Sequence, residues 1–95
     1  MPEVQTKKAK KSKIVFTYAA PSARSVYICG SFNNWDEKSH ALKKNGQGSW
    51  KITLELQPGR YEYRFIVDGG WECDQEVTEC VPNAFGTWNS VVTIQ

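Results

Sequence analysis

From residue 13 the chain alternates its positions with a period of two, first as Ile14, Phe16 and Tyr18 against Val15 and Thr17. Such alternation buries one face of a β-strand. The segment Ser25–Gly30 repeats it, with Val26 and Ile28 on one face. Trp50, Ile52, Leu54 and Leu56 then alternate with Lys51, Thr53 and Glu55, and Tyr61, Tyr63, Phe65 and Val67 with Glu62, Arg64 and Ile66. The last strand is Ser90–Ile94, after a looser stretch from Trp71 to Thr87. Turn signals separate these runs: Pro21-Ser22, Asn33-Asn34, Asn45-Gly46, Pro58-Gly59 and Asp68-Gly69-Gly70. Asparagine and glycine tolerate positive φ, and Asn-Gly is the strongest short hairpin signal among them. No segment of useful length has helical periodicity. Turns recurring about every 8–12 residues predict an all-β, immunoglobulin-like antiparallel β-sandwich of about seven strands.

Residues 1–12 lack the pattern. They are polar and lysine-rich, and predict a disordered N-terminal arm that leaves 13–95 as the single domain. The first thirteen residues also explain the charge. The chain carries 12 basic and 10 acidic residues, a net of +2. Lys7, Lys8, Lys10, Lys11 and Lys13 are five of those bases and Glu3 one of those acids, so the rest of the chain is net negative. A basic footprint for nucleic acid is therefore absent from the body, and nucleic acid is not the expected partner. No apolar run is long enough for a signal peptide or a membrane span, so no membrane partner is expected. Cys29, Cys73 and Cys80 make an odd count; Cys73 and Cys80 could pair, but reduced thiols in a cytoplasmic protein are the simpler expectation.

Strand phase sorts the aromatics. Trp50 shares a face with Ile52 and Leu54, Tyr61, Tyr63 and Phe65 with Val67, and Phe16 and Tyr18 with Ile14; all are expected in the core. Trp35 follows the Asn33-Asn34 turn and precedes the polar run Asp36-Glu37-Lys38, and Trp71 follows the Asp68-Gly70 turn. A large ring at a turn either packs under its loop or meets a partner. Trp88 has the parity of Ser90, Val92 and Ile94, which suits an edge-strand core residue or a rim residue equally. A tryptophan face matches the apolar C–H face of a pyranose, whose hydroxyls remain free for polar neighbours. Arg64, on the outward face of its strand, can span neighbouring hydroxyls, and Asn89 can both donate and accept. Such shallow, wet sites bind weakly, on the order of micromolar to millimolar.

Other chemistries fit less well. Glycoside hydrolysis needs two carboxylates across a cleft; Glu72, Asp74 and Glu76 lie close in sequence, on a scaffold too small for a deep cleft. His40 with Ser39 lacks a triad, and Cys73, Cys80 and His40 lack the CxxC spacing of a zinc site. No catalytic residue, metal or other cofactor is expected.

The motifs Gly30-Ser31-Phe32-Asn33-Asn34-Trp35, Tyr61-Glu62-Tyr63-Arg64-Phe65-Ile66-Val67-Asp68-Gly69-Gly70-Trp71 and Gly86-Thr87-Trp88-Asn89-Ser90-Val91-Val92 resemble, in order and spacing, the early-set carbohydrate-binding modules of family 48. These include the glycogen-binding domain of the AMP-activated protein kinase β subunit and the N-terminal domains of glycogen branching and debranching enzymes. The resemblance covers about residues 13–95. It implies an early-set immunoglobulin-like sandwich that binds α-1,4-glucans without catalysis, with a separate glycogen- or starch-metabolising enzyme as a further partner. It implies stacking by Trp35 and Trp71. Arg64 stands where a glucan-bonding lysine is common, and Phe85 where a leucine pushes into the glucan ring. Thr87 and Asn89 match the family's threonine and asparagine. A sugar-blind structural or protein-interaction domain is the alternative on the same fold.

Overall fold

The computed structural model describes residues 11–76 and 79–95. Apart from Lys11 and Ser12, the proposed arm lies outside them. The strands are β1 (Ser12–Ala19), β2 (Val26–Gly30), β3 (Lys43–Lys44), β4 (Ser49–Leu56), β5 (Gly59–Val67), β6 (Gly70–Glu72), β7 (Cys80–Pro82) and β8 (Trp88–Ile94). The described residues hold eight strands, in line with the expected seven or so; β3, β6 and β7 are too short to show alternation in the sequence. One short 3-10 turn, Ser31–Asn33, follows β2.

All pairings are antiparallel. The first sheet runs β1-β4-β3 and the second β2-β5-β8-β7, with β6 beside β5. β5 is the organising strand. β2 pairs with its second half on one edge. On the other edge β8 pairs with its first half and β6 with its end. The inner faces carry the residues that phase assigned to them. Phe16, Tyr18, Trp50, Leu54 and Leu56 meet Val26, Ile28, Tyr63, Phe65 and Ile94 in one buried cluster, with Leu42. Ring pairs cross the interface, with centroids 4.9 Å apart for Tyr18–Phe65 and 5.1 Å for Phe16–Tyr63. Burying each large apolar side chain contributes about 1.5–3 kcal/mol. Tyr61 and Ile14 are only half-buried at the rim of this cluster.

The segment after β6 ties the two sheets together. The Tyr63 hydroxyl donates to Asp74 Oδ2 at 2.6 Å, and the Asp74 amide to Ser90 Oγ at 2.9 Å. The Gln75 side-chain amide bonds both backbone groups of Ala19, each at 3.1 Å. Asp74 and Gln75 therefore bridge β1 to β5 and β8, which gives the acidic run here a structural role.

Two hairpins differ in how they turn. Asp68 and Gly69 both have positive φ, 50° and 84°, the type I′ turn that matches strand twist. The Asn45-Gly46 hairpin forms, but with a wider loop. Its positive φ is at Gly48, and Asn45 Oδ1 accepts from the amides of Gln47 and Ser49 at 2.8 and 3.1 Å. The asparagine acts through its side chain here rather than through a left-handed backbone.

The second sheet also has a face turned away from the core. Cys29, Arg64, Ile66, Asn89 and Val91 alternate with core residues and so point there. Candidate binding residues collect on this face.

Candidate functional site

The turn that carries Trp35 is locked by one side chain. Asn33 Oδ1 accepts the Gly30 amide at 3.0 Å, and its Nδ2 reaches His40 Nδ1 at 2.9 Å, Ser39 Oγ at 3.2 Å and the Asp36 carbonyl at 3.4 Å. The Trp35 amide closes the turn on the Gly30 carbonyl at 2.9 Å. Asn34 and Trp35 are consecutive left-handed residues, with φ of 56° and 58°. A bulky residue in that region costs about 1–3 kcal/mol unless its surroundings over-determine it. The Asn33 clamp and Phe32, which packs on Phe16 and Tyr61, supply that constraint. Gly30 is required by space: an added Cβ would lie 2.8 Å from Tyr63 Cβ and 2.9 Å from Phe32 Cε2.

Trp71 stands on β6, opposite Ile66. The preceding turn is pinned by Asp68 Oδ1, which accepts the amides of Arg24 and Ser25 at 2.7 and 2.9 Å. The Trp71 ring is 38% exposed, and the Arg64 guanidinium lies over it at 5.7 Å. Arg64 Nη2 donates to the Trp71 carbonyl at 3.1 Å and Nη1 to Thr87 Oγ1 at 3.0 Å. Arginine's planar fork thus joins β6 to the loop before β8, which a lysine could not do in the same way.

That loop, 83–87, is organised by Asn83. Its Oδ1 accepts from the Phe85 and Thr87 amides at 2.9 and 3.1 Å and from the Thr87 hydroxyl at 3.1 Å. Its Nδ2 donates to Thr87 Oγ1 at 2.8 Å and Asn89 Oδ1 at 2.9 Å. Asn89 Nδ2 continues the chain to Glu62 Oε1 at 3.1 Å, and Glu62 Oε2 accepts from Arg60 at 3.0 Å. The hydrogen bonds from Asn89 and Arg60 hold the Glu62 carboxyl below its ordinary range. Phe85, at the loop's apex, is 90% exposed.

All six residues singled out in the sequence (Trp35, Arg64, Trp71, Phe85, Thr87 and Asn89) line one open depression of about 810 Å³ on the outer face of the second sheet. Glu37, Glu62 and Asn83 line it too. Sequence reading passed over these three, since a polar loop residue and an outward strand glutamate look like solvated surface. Glu62 could have been found: it shares the outward parity of Arg64, two residues away. Trp88, which phase left open, is a rim residue, 53% exposed and outside the depression. Cys29 forms part of the sheet under the depression, fully buried, and burial pushes its thiol up to about 11. Cys73 and Cys80 are free thiols, and Cys73 Sγ donates to the Trp88 carbonyl at 3.1 Å.

Chemically, the depression offers flat apolar rings at its walls and charged or amide groups between them. That combination matches a ligand with apolar faces and a hydroxyl rim. Comparison with known proteins points the same way. Residues 12–95 match the sequence profile described as the glycogen recognition site of AMP-activated protein kinase. The chain is 43% identical over 53 residues to "Protein PTST homolog 2, chloroplastic" of Arabidopsis thaliana, covering 56% of this chain and 10% of that protein. It is 36% identical over 62 residues to "Protein FLOURY ENDOSPERM 6, chloroplastic" of Oryza sativa subsp. japonica, covering 65% and 12%. It is 33% identical over 72 residues to 5'-AMP-activated protein kinase subunit beta-1 of Rattus norvegicus, covering 76% and 25%. The chain thus spans only about a tenth to a quarter of the length of these relatives. With the profile running from Ser12 to the last residue, the chain belongs to the glycogen-recognition family of carbohydrate-binding modules.

Proposed function

We propose that this module binds α-1,4-linked glucan, without catalysis, in the depression between Trp35 and Trp71. The observation that carries this reading is the convergence of Trp35, Trp71, Arg64 and Phe85 on one open face. Stacking the C–H faces of glucose on the tryptophans removes apolar area from water on both partners. Phe85, almost wholly exposed at its loop apex, covers the sugar from the side. The rings sit on a rigid sheet and side-chain-locked turns, so little ordering entropy opposes binding.

A binding role also fits the acid–base state of the depression. Glycoside cleavage needs a protonated acid beside the leaving oxygen. Glu62 is held ionised by Asn89 and Arg60, the reverse of a general acid. The protein partner in this proposal is a separate glycogen- or starch-metabolising enzyme, which the module would bring to its polymer.

Native gels cast with glycogen or soluble starch test the reading. The module should be retarded by the polymer, and Trp35→Ala and Trp71→Ala should each restore most of its free mobility. Unchanged wild-type mobility beside a retarded control module would overturn the proposal.

A further inference from the structure

Hydrogen-bond bookkeeping inside the depression separates its polar groups into engaged and available. A threonine hydroxyl has one hydrogen and two lone pairs. Thr87 Oγ1 takes hydrogen bonds from Arg64 and Asn83 and gives its own hydrogen to Asn83 Oδ1, so it is fully used. Asn89 is buried, with its oxygen held by Asn83 and its nitrogen by Glu62. Each Glu62 oxygen accepts one hydrogen bond, from Asn89 or from Arg60, which leaves the carboxylate part of its acceptor capacity. These residues build the wall: the Thr87 hydroxyl is spent, and Asn89 and Glu62 are partly committed to each other.

Glu37 differs. It lines the depression, is exposed, and has no side-chain hydrogen bond among the described residues. The backbone on either side of it is nevertheless tied down. Asp36 Oδ1 accepts the Lys38 amide at 3.0 Å, which closes a tight turn around residue 37, and Asn33 Nδ2 holds the Asp36 carbonyl. Glu37 and Arg64 line the same depression, one able only to accept and the other only to donate.

We propose that Glu37 is a sugar-contacting, specificity-determining residue that accepts hydroxyl hydrogens opposite the Arg64 donors, restricting the site to glucans with free hydroxyls. The inference rests on the glucan-binding reading above. A free hydroxyl does two things at once: its oxygen accepts from a guanidinium and its hydrogen goes to a carboxylate. O-methylation keeps the oxygen and removes the hydrogen, so the acceptor loses its partner and stays desolvated.

Calorimetry with maltoheptaose and O-methylated maltoheptaose tests this on wild type, Glu37→Ala, Glu37→Gln and Trp71→Ala. Glu37→Ala should weaken maltoheptaose binding about tenfold, the worth of one charge-assisted hydrogen bond. Glu37→Gln, which keeps an acceptor but not the charge, should lose about threefold. Wild type should prefer maltoheptaose over the methylated ligand by about tenfold, and Glu37→Ala should bind the two within about twofold of each other. The melting temperature of Glu37→Ala should match wild type. Equal maltoheptaose affinity of Glu37→Ala and wild type, or an equal loss toward both ligands, overturns the proposal while a Trp71-dependent wild-type signal upholds the glucan reading. Wild-type binding to neither ligand, indistinguishable from Trp71→Ala, overturns both.

Discussion

Trp50 and Trp71 have the same side chain and opposite tasks. Trp50 is buried, with its indole N–H on the Ala20 carbonyl at 2.9 Å and the Lys44 ammonium over its ring at 5.9 Å. Trp71 is exposed on one side and braced by Arg64 on the other. Truncating a buried tryptophan removes its transfer energy and leaves a cavity, about 3–5 kcal/mol together. In a domain this small, Trp50→Ala should lower the melting temperature by more than about 10 °C. Trp71→Ala should shift it by less than about 4 °C and cut glucan affinity more than about tenfold. Differential scanning calorimetry and glucan titration on the same samples check both. If the effects were reversed, the core and the site would have been assigned to the wrong rings. This difference was legible in the sequence, because Trp50 alternates in phase with Ile52 and Leu54 while Trp71 directly follows the Asp68-Gly70 turn. Trp88 was not legible. Its parity is that of a core residue, but it begins β8, where the ring stays open to solvent.

At the level of elements, two asparagines govern the site's loops. Asn33 fixes the Trp35 turn and Asn83 the loop before β8, each through both ends of its amide. The long strands were readable because each buries one face. The turn at Asn33-Asn34 was readable because asparagine is a residue that enters the left-handed region. Asn83 gave no such signal, because its bonds reach backbone amides two and four residues on, a geometry with no periodicity. The two ends of its amide can be tested apart. Asn83→Ala removes the acceptor that shapes the loop and the donor that holds Asn89. It should destabilise by about 1–2 kcal/mol and weaken glucan binding. Asn83→Asp keeps the acceptor for the Phe85 and Thr87 amides but faces Asn89 Oδ1 with a second acceptor. Its backbone amide spectrum should retain the loop signals at 85–87 while those of Glu62 and Asn89 shift. Loss of the loop signals in Asn83→Asp would show that the link to Asn89, not the local turn, holds the loop.

For the whole molecule, stability should depend on pH through a few buried or engaged groups. Burial raises the Cys29 thiol from an ordinary 9.0 to about 11, and it raises the Tyr63 and Tyr18 phenols above their ordinary 10.0. Desolvation leads in each case, and the Asp74 hydrogen bond adds to it for Tyr63. The fold therefore favours their neutral forms. That contribution is complete below the ordinary values and lost as pH climbs through the raised ones. Glu62 works in the opposite sense. Its folded value lies below the ordinary 4.5, so its contribution is complete above that value and lost as pH falls through the lower one. Urea midpoints should accordingly form a plateau between about pH 5 and pH 9, with an alkaline limb set by the core and an acid limb to which Glu62 contributes. Glucan binding should share the acid limb, because protonating Glu62 weakens its hold on Asn89 and, through Asn83, on the loop that carries Phe85. Glu62→Gln should flatten that part of the binding profile and leave the alkaline limb unchanged. The thiols provide an independent check on the same core. A thiol-specific dye at pH 8 should titrate the half-buried Cys73 and Cys80 in the native module and reach Cys29 only with denaturant. Rapid native labelling of Cys29 would mean that the sheet under the depression opens readily, and a platform that opens could not hold Arg64 and the Trp35 turn in register for a sugar.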